Sequence, residues 1–584
     1  MFTKRFTQLK GNSGIQRRHA LKLAAAAGTA SVLPNLVVPT PAAAKELPPA
    51  PPTEPFVVEL PVYSAKAPVA GLYPAPDSTP GVGECGRYAH QAWYDFPPQK
   101  FYELNVTEAL HLFHPQLPTQ NIWGYDGIYP GPTFVARYGE PILVRIYNNL
   151  PANHVGFGSP EISTHLHNLH TPSESDGYAG DYYSATKYGP TLTTPGLYHD
   201  HHYVNCYAGY KQFPLTNGDP REALGTLWYH DHRLDYTTAN VYKGLTGVYL
   251  LFDAIDSGNE RDPNPAALRL PSGVGEYDIP LVLQDKVFDS GGYLTLDQFE
   301  SDGVLGNKFC VNGKIQPFFK VERRKYRFRL LDGGPSRFYE LYLTNNNVNQ
   351  IFTYIANDGN LLRNPIRDAR RVALGAAERA DIVIDFSKYP LGSQVFLTNR
   401  LIQTNGRAPE GPLINVRDAA GDLVNAGTQL LRFDVDREPG QPDMSRVPNL
   451  LRELPVFSRT EAVRTRTFEF DRTNDVWTVN GQLFDVDSPR VSPKLGTAEI
   501  WVLKSKGGWA HPIHIHFEEG RILSRNGVAP PLHERGRKDV YVLKEGEEVR
   551  VFLRFRDFQG KYLMHCHNLV HEDHAMMLRW DITP

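Results

Sequence analysis

The chain has 584 residues, 41% hydrophobic and 21% charged, with 49 Gly and 47 Pro, which excludes a single small module and a disordered or collagen-like chain and fits three or four domains. The net charge of −3 falls to −9 once residues 1–44, with six basic residues and no acidic one, are set aside. So mildly acidic a body has no surplus of cations to displace counterions from phosphate, which argues against nucleic-acid partners.

In chain order, residues 1–44 read as an export signal. A basic stretch leads into the apolar run Leu23 to Leu33 and then the small residues Ala42-Ala43-Ala44. The run is too short to span a bilayer, so no membrane span is expected. Arg17-Arg18-His19-Ala20-Leu21-Lys22 resembles a twin-arginine signal, with Ala20 where Phe is preferred. An ordinary secretory signal is the other reading. Both use export machinery and place the protein in the periplasm or otherwise outside a bacterial cytoplasm. Only four cysteines occur, Cys85, Cys206, Cys310 and Cys566, too few for a disulfide scaffold; one bridge among the first three is allowed.

After a Pro-rich leader, Leu47 to Pro55, short alternating runs dominate, such as Ile142-Leu143-Val144-Arg145-Ile146 and Tyr326-Arg327-Phe328-Arg329-Leu330. Punctuated by Gly, Pro and Asn-Gly, they read as strands, and no long stretch has a helical period. The expected class is all-β, of sandwiches or barrels with Greek-key connections. A turn-then-strand order recurs three times: Asp126-Gly127 before Glu140 to Ile146, Asn312-Gly313 before Glu322 to Leu330, and Asn480-Gly481 before Glu499 to Leu503. This repeat divides the mature chain into domains 45–255, 256–437 and 438–584.

Histidine placement carries the chemistry. None lies between His232 and His511, so the middle repeat supplies no imidazole, while the last 74 residues hold eight of the 21. In His511-Pro512-Ile513-His514-Ile515-His516 the period-two alternation of a strand puts His514 and His516 on one face. In His565-Cys566-His567 the imidazoles share one face and the thiol takes the other. His511, Cys566, His571 and Met576 form the ligand set of a blue-copper centre.

Gly225 to His232 aligns with Gly560 to His567, and His165-Leu166-His167 with His514-Ile515-His516. At aligned positions the first repeat has Ile162 for His511, Asp231 for Cys566, Tyr236 for His571 and Val241 for Met576. It lacks every blue-copper ligand and keeps the other histidines. Four His-x-His pairs, shared equally by two domains, imply a trinuclear copper cluster at their interface. Zinc is the alternative metal, but thiol, thioether and imidazole together suit copper better. His199-Asp200-His201-His202 imitates a ligand pair but lacks the shared Gly-to-His offset. His90, His111, His114, His154, His170, His533 and His574 read as surface or hydrogen-bonding residues.

These motifs, with Trp228-Tyr229-His230-Asp231-His232, Val311-Asn312-Gly313-Lys314, Arg324 to Arg329 and His565 to Met576, span essentially the whole mature chain. The sequence resembles three-domain multicopper oxidases of the bacterial laccase, bilirubin oxidase and phenoxazinone synthase group. The resemblance implies three consecutive cupredoxin-like domains and four copper ions. His511, Cys566, His571 and Met576 would bind type 1 copper, His165 and His514 type 2 copper, and His167, His230, His232, His516, His565 and His567 the type 3 pair. It also implies that His571, with its ring edge nearest solvent, receives electrons. Glu572 and Asp176 match acidic residues near the oxygen channel, as proton donors or as supports of ligand imidazoles. Asn168 departs from the family's Gly, and His199 to Glu222 reads as an insertion; both bear on access and substrate choice.

The expected reaction is four one-electron oxidations of a reductant coupled to reduction of dioxygen to water, by a monomer. Three readings of the reductant and role stand. The first is an organic oxidase for phenols, aromatic amines or pyrrole pigments. The second is a metallo-oxidase for Cu(I), Fe(II) or Mn(II), its copper version disfavoured by only five Met. The third is a non-catalytic exported cupredoxin interaction module, disfavoured by the complete ligand set. Glu518 and Glu519, just past the ligand strand, would be solvated carboxylates or would draw cationic substrates to the type 1 mouth.

Overall fold

The computed structural model describes residues 47–76, 90–180, 192–412 and 427–584; the export-signal reading and Cys85 fall outside them. Strands dominate, because the alternating runs bury one face: Ile142–Asn148 sends Ile142, Val144 and Ile146 into the core and leaves Arg145 and Tyr147 half-exposed. Apart from a two-stranded ribbon, Leu401–Ile402 with Gly411–Pro412, the sheets among the described residues come in three successive pairs. Four strands and four lie between Lys100 and Phe252, seven and six between Asp278 and Arg437, six and four between Ala462 and Ile582. Three large hydrophobic cores fill these sandwiches.

The threefold repeat is physical. In each pair a first strand runs parallel to a later one: Lys100–His111 with Ile142–Asn148, Asp278–Lys286 with Lys325–Asp332, and Ala462–Thr473 with Thr497–Ser505. Each repeat then makes the same turn, with positive φ at both Asp126-Gly127, Asn312-Gly313 and Asn480-Gly481, a geometry that favours Asn or Asp followed by Gly. The Asx side chain does the same work each time, Oδ1 accepting from the main-chain N–H of Asn105, Val282 and Glu469 respectively. The fold is all-β and cupredoxin-like, as expected.

Among the described residues two short α-helices, Thr237–Lys243 and Leu569–Asp573, are too brief to leave a period in the sequence. Each follows a His-x-His strand, and they meet: the Asp573 carboxylate accepts from the N–H groups of Thr237 and Thr238 at the start of the other helix. The unpaired donors of that terminus are satisfied from across the interface. The segment after the leader is a strap. Leu60 bridges to Phe318 and enters the middle core, and Val69 bonds Phe101 in the first repeat. Cys206 and Cys310 are buried free thiols, so they do not bridge to each other.

Candidate metal centre

The register read from the sequence is the register of the sheets. His165 pairs with His230 and Thr164 with Asp231 across antiparallel strands, just as His514 pairs with His565 and Ile513 with Cys566. The two half-sites then face each other, and all eight imidazoles are buried.

Their ring nitrogens converge in three groups. His232, His516 and His565 hold their Nε2 atoms 3.2–3.3 Å apart. His167 Nε2 lies 3.0 Å from His230 Nε2 and 3.2 Å from His567 Nε2. His165 and His514 face each other at 3.3 Å. The outer nitrogens explain why. Nδ1 of His165, His230 and His514 meets the carbonyls of Asp176, Asp231 and Asp539 at 2.5, 2.8 and 3.0 Å. Nδ1 of His516 meets Asp176 Oδ2 at 2.7 Å, and that of His167 meets Asp539 Oδ2 at 3.1 Å. Glu572 spans two rings, with Oε1 3.0 Å from His232 Nδ1 and Oε2 2.9 Å from His565 Nδ1. Six of the eight rings thus set Nδ1 against a hydrogen-bond acceptor, His565 through the Cys566 carbonyl at 3.2 Å, and their inner nitrogens are bare lone pairs directed at one another. Only a cation reconciles such an arrangement, and three nitrogens about 3.3 Å apart enclose a point about 2 Å from each, the length of a metal–imidazole bond. Burial, followed by repulsion from neighbouring rings, depresses His165, His167, His230, His514, His516 and His567 well below the usual imidazole range, so they stay neutral, the ligating form.

A fourth group uses the opposite ring nitrogen. Cys566 Sγ is 3.5 Å from Nδ1 of both His511 and His571, which are 3.3 Å apart. Met576 is buried in the same core cluster, and its main chain pairs with Cys566 N–H and His571 C=O. Where the third repeat has this thiol, the first has Asp231, whose carboxylate accepts from Ser163 N–H and Asn240 Nδ2. Burial pushes that carboxyl up to about 7.

The comparisons agree with this donor chemistry. Two multicopper oxidase family models match the chain, over residues 108–195 and 457–584. Bilirubin oxidase of Albifimbria verrucaria is 34% identical over 546 residues, covering 90% of this chain and 81% of that protein. The chain belongs to the multicopper oxidase family. Laccase of Bacillus subtilis (strain 168) is 31% identical over 536 residues, 83% of this chain and 94% of that one. The crystal structure of laccase from Pediococcus acidilactici, at 23% identity, superposes with a TM-score of 0.69 over 92% of this chain and 95% of that chain, a likeness of fold. As a multicopper oxidase the protein is a copper oxidoreductase that uses oxygen.

Several expectations are corrected. His571 does not turn a ring edge to solvent; it is fully buried. Trp477 covers it with ring centroids 3.8 Å apart, and His571 Nε2 meets the Asp302 carbonyl at 2.9 Å. Glu518 and Glu519 are neither solvated nor at that mouth. Both are buried, Glu518 against Arg556 and Glu519 against Arg537 and Asn360. Glu222, from the predicted insertion, joins them by pairing with Arg556 and Arg537. Burial would raise the Glu222 carboxyl, but the two guanidiniums hold it at about 2. Removing one partner of such a cluster strands buried charge, so Arg556→Met is expected to cost about 3–5 kcal/mol in chemical denaturation, without changing the ratio of KM values for a cationic and a neutral reductant.

The His199–His202 segment stays outside the ligand groups. His199 and His201 meet the carbonyls of Glu174 and Ser175, and His202 N–H donates to Ser175 Oγ, which pins the turn ahead of Asp176. Of the unassigned histidines, His111, His114, His154 and His574 meet main-chain carbonyls and His170 pairs with Asp557. His90, His114 and His170 are buried, the last two as hydrogen-bonding residues. Sequence reasoning missed Asp539 and Trp228, which stacks on His167 and His230 at 4.6 and 4.4 Å. Asp539 sits in the charged run Arg535 to Asp539, which reads as solvated surface.

Proposed function

We propose that this multicopper oxidase is laccase-like, coupling four one-electron oxidations of an organic reductant (phenolic, aromatic amine or pyrrole-type) to reduction of dioxygen to water. Four copper ions are assigned: type 1 to His511, Cys566, His571 and Met576, type 2 to His165 and His514, and the type 3 pair to His167, His230 and His567 and to His232, His516 and His565. Bound copper supplies the one-electron redox chemistry. The residues orient and insulate it: Glu572, Asp176 and Asp539 fix ring tautomers, Trp228 covers two rings, and Cys566 joins His565 and His567 in one peptide stretch. Action outside the cytoplasm, as a monomer, is part of the same reading.

The observation that supports an organic reductant is a cavity of about 600 Å³ that reaches His571 through the lining residue Asp302. Its lining includes Leu47, Leu296, Val304, Gln403, Asn405 and Asp302, and the Asp302 carbonyl is the acceptor for His571 Nε2–H. That volume suits an aromatic molecule. Asp297, Glu300 and Asp302 also line it, and carboxylates are what a metal-ion reductant would use. Glu300, however, accepts from the N–H groups of Ser301 and Asp302, and Asp302 pairs with Arg472 at 2.6 Å. A panel of phenols, bilirubin, Mn(II), Fe(II) and Cu(I), followed by oxygen uptake on copper-loaded protein, tests the reading. Phenols or bilirubin should give the highest kcat/KM, and a metal ion giving it would refute the organic class. Leu296→Trp, which narrows the cavity, should raise KM for a bulky phenol about tenfold and leave a small inorganic reductant near normal.

A further inference from the structure

We propose that Arg379, in the histidine-free middle repeat, is a positioning residue for the trinuclear site, an inference that rests on the copper assignment above. Arg379 opens the strand Arg379–Asp385 and is fully buried. Its Nη1 donates to both oxygens of Asp539, at 2.6 and 2.8 Å, and to the carbonyl of Ala377. Its Nε donates to the carbonyl of Thr226, on the strand that carries His230. One guanidinium therefore bonds main chain or side chain from all three repeats.

What it holds matters. Asp539 is the joint between two ligand groups: Oδ2 faces His167 Nδ1 at 3.1 Å, and its carbonyl faces His514 Nδ1 at 3.0 Å. A ligand of one type 3 group and a ligand of the type 2 pair thus take their ring orientation from one residue, and the acceptors behind ligand imidazoles govern metal affinity. Opposite charges match in register along this contact. Glu378 takes Lys538 at 2.9 Å while Arg379 takes Asp539. Asp358, at the tip of a middle-repeat hairpin, takes Lys538 at 2.8 Å and accepts from Val540 N–H. The segment Lys538 to Val540 is clasped by the middle repeat on three successive residues. No other side chain of the middle repeat contacts Asp539 through a hydrogen bond or ion pair among the described residues. Among these contacts, the one that reaches the residue behind the ligand rings is Arg379 on Asp539.

The test compares copper-loaded parent protein with Arg379→Met, Arg379→Lys and, as control, Arg327→Lys. Arg327 is equally buried in the same sheet but pairs with Asp256 and Asp381 instead. In Arg379→Met the blue type 1 absorption should persist while copper affinity at the type 2 and type 3 sites falls about 10–100-fold and the type 2 EPR signal shifts or weakens. Arg379→Lys keeps the charge but ends one bond short of Nη1 and drops the Thr226 link; it should fold, keep type 1 copper and show a smaller shift in the same signal. An unshifted type 2 signal in Arg379→Lys overturns the proposal whatever the methionine variant does. So does an equal shift in Arg327→Lys, which would mean general loosening. Absence of a type 2 signal in the parent would remove the copper assignment and this proposal together, whereas a failure confined to the variants removes only the latter.

Discussion

Cys566→Ser is expected to abolish the blue absorption and reduce substrate oxidation to background, while the eight cluster histidines still load with copper. The thiol is the one soft sulfur anion donor in the ligand motifs, 3.5 Å from both His511 and His571 nitrogens, and a hydroxyl cannot replace its covalent bond to copper. The backbone has no reason to move. Cys566 N–H still donates to Met576 C=O, and Ile513 still pairs with residue 566 in the sheet. His565 and His567 project from the opposite face of the strand, so their Nε2 atoms keep their partners in the other half-site. The buried hydroxyl, short of acceptors, costs about 1–3 kcal/mol, which a folded enzyme of this size tolerates. Visible absorption, copper per chain and oxygen uptake on one preparation check the result. A retained blue band would show that the thiolate of the type 1 site is elsewhere.

What the sequence disclosed and what it withheld divide along contact range. The His-x-His pairs were legible because a strand's two-residue alternation is local, and matching two repeats supplied the register that the sheets display. Even the three Asx-Gly turns were visible, since left-handed φ at consecutive positions leaves few residues to choose from. Glu518 was misread because nothing beside it in the chain announces Arg556, 38 residues on, which in turn reaches back 334 residues to Glu222. Arg379 reaches Asp539 across 160 residues. His571 was given a ring edge nearest solvent by analogy, and the Asp302 carbonyl, from a loop of the middle repeat, meets that edge while Trp477 covers the face. Long-range charge pairing and loop coverage have no period, so no pattern along the chain encodes them.

Glu572→Gln separates the two roles that the sequence left open for this residue, and the geometry favours support. Both carboxylate oxygens lie within hydrogen-bonding distance of ligand imidazoles, 3.0 Å from His232 Nδ1 and 2.9 Å from His565 Nδ1. Burial works against the ionised form, but His232 and His565 outweigh it and hold the carboxyl well below its ordinary range. A carboxylate held ionised between two ligand rings has no proton of its own to give. An amide offers one oxygen and one NH2, so one of the two N–H groups would meet a donor instead of an acceptor. That ring must rotate or change tautomer, and its Nε2 lone pair leaves the position it shares with His516. The expected result is about a 10–100-fold loss of copper affinity at the His232, His516 and His565 group, with the blue band intact. Asp176→Asn should perturb the same group less, since Asp176 Oδ2 reaches one ring of that group, His516, and its main-chain carbonyl, which the substitution keeps, holds His165. Copper analysis and stopped-flow reoxidation decide the matter. A fully loaded Glu572→Gln enzyme with normal type 1 reduction, slowed reoxidation by dioxygen and an altered pH profile would instead make Glu572 the proton donor.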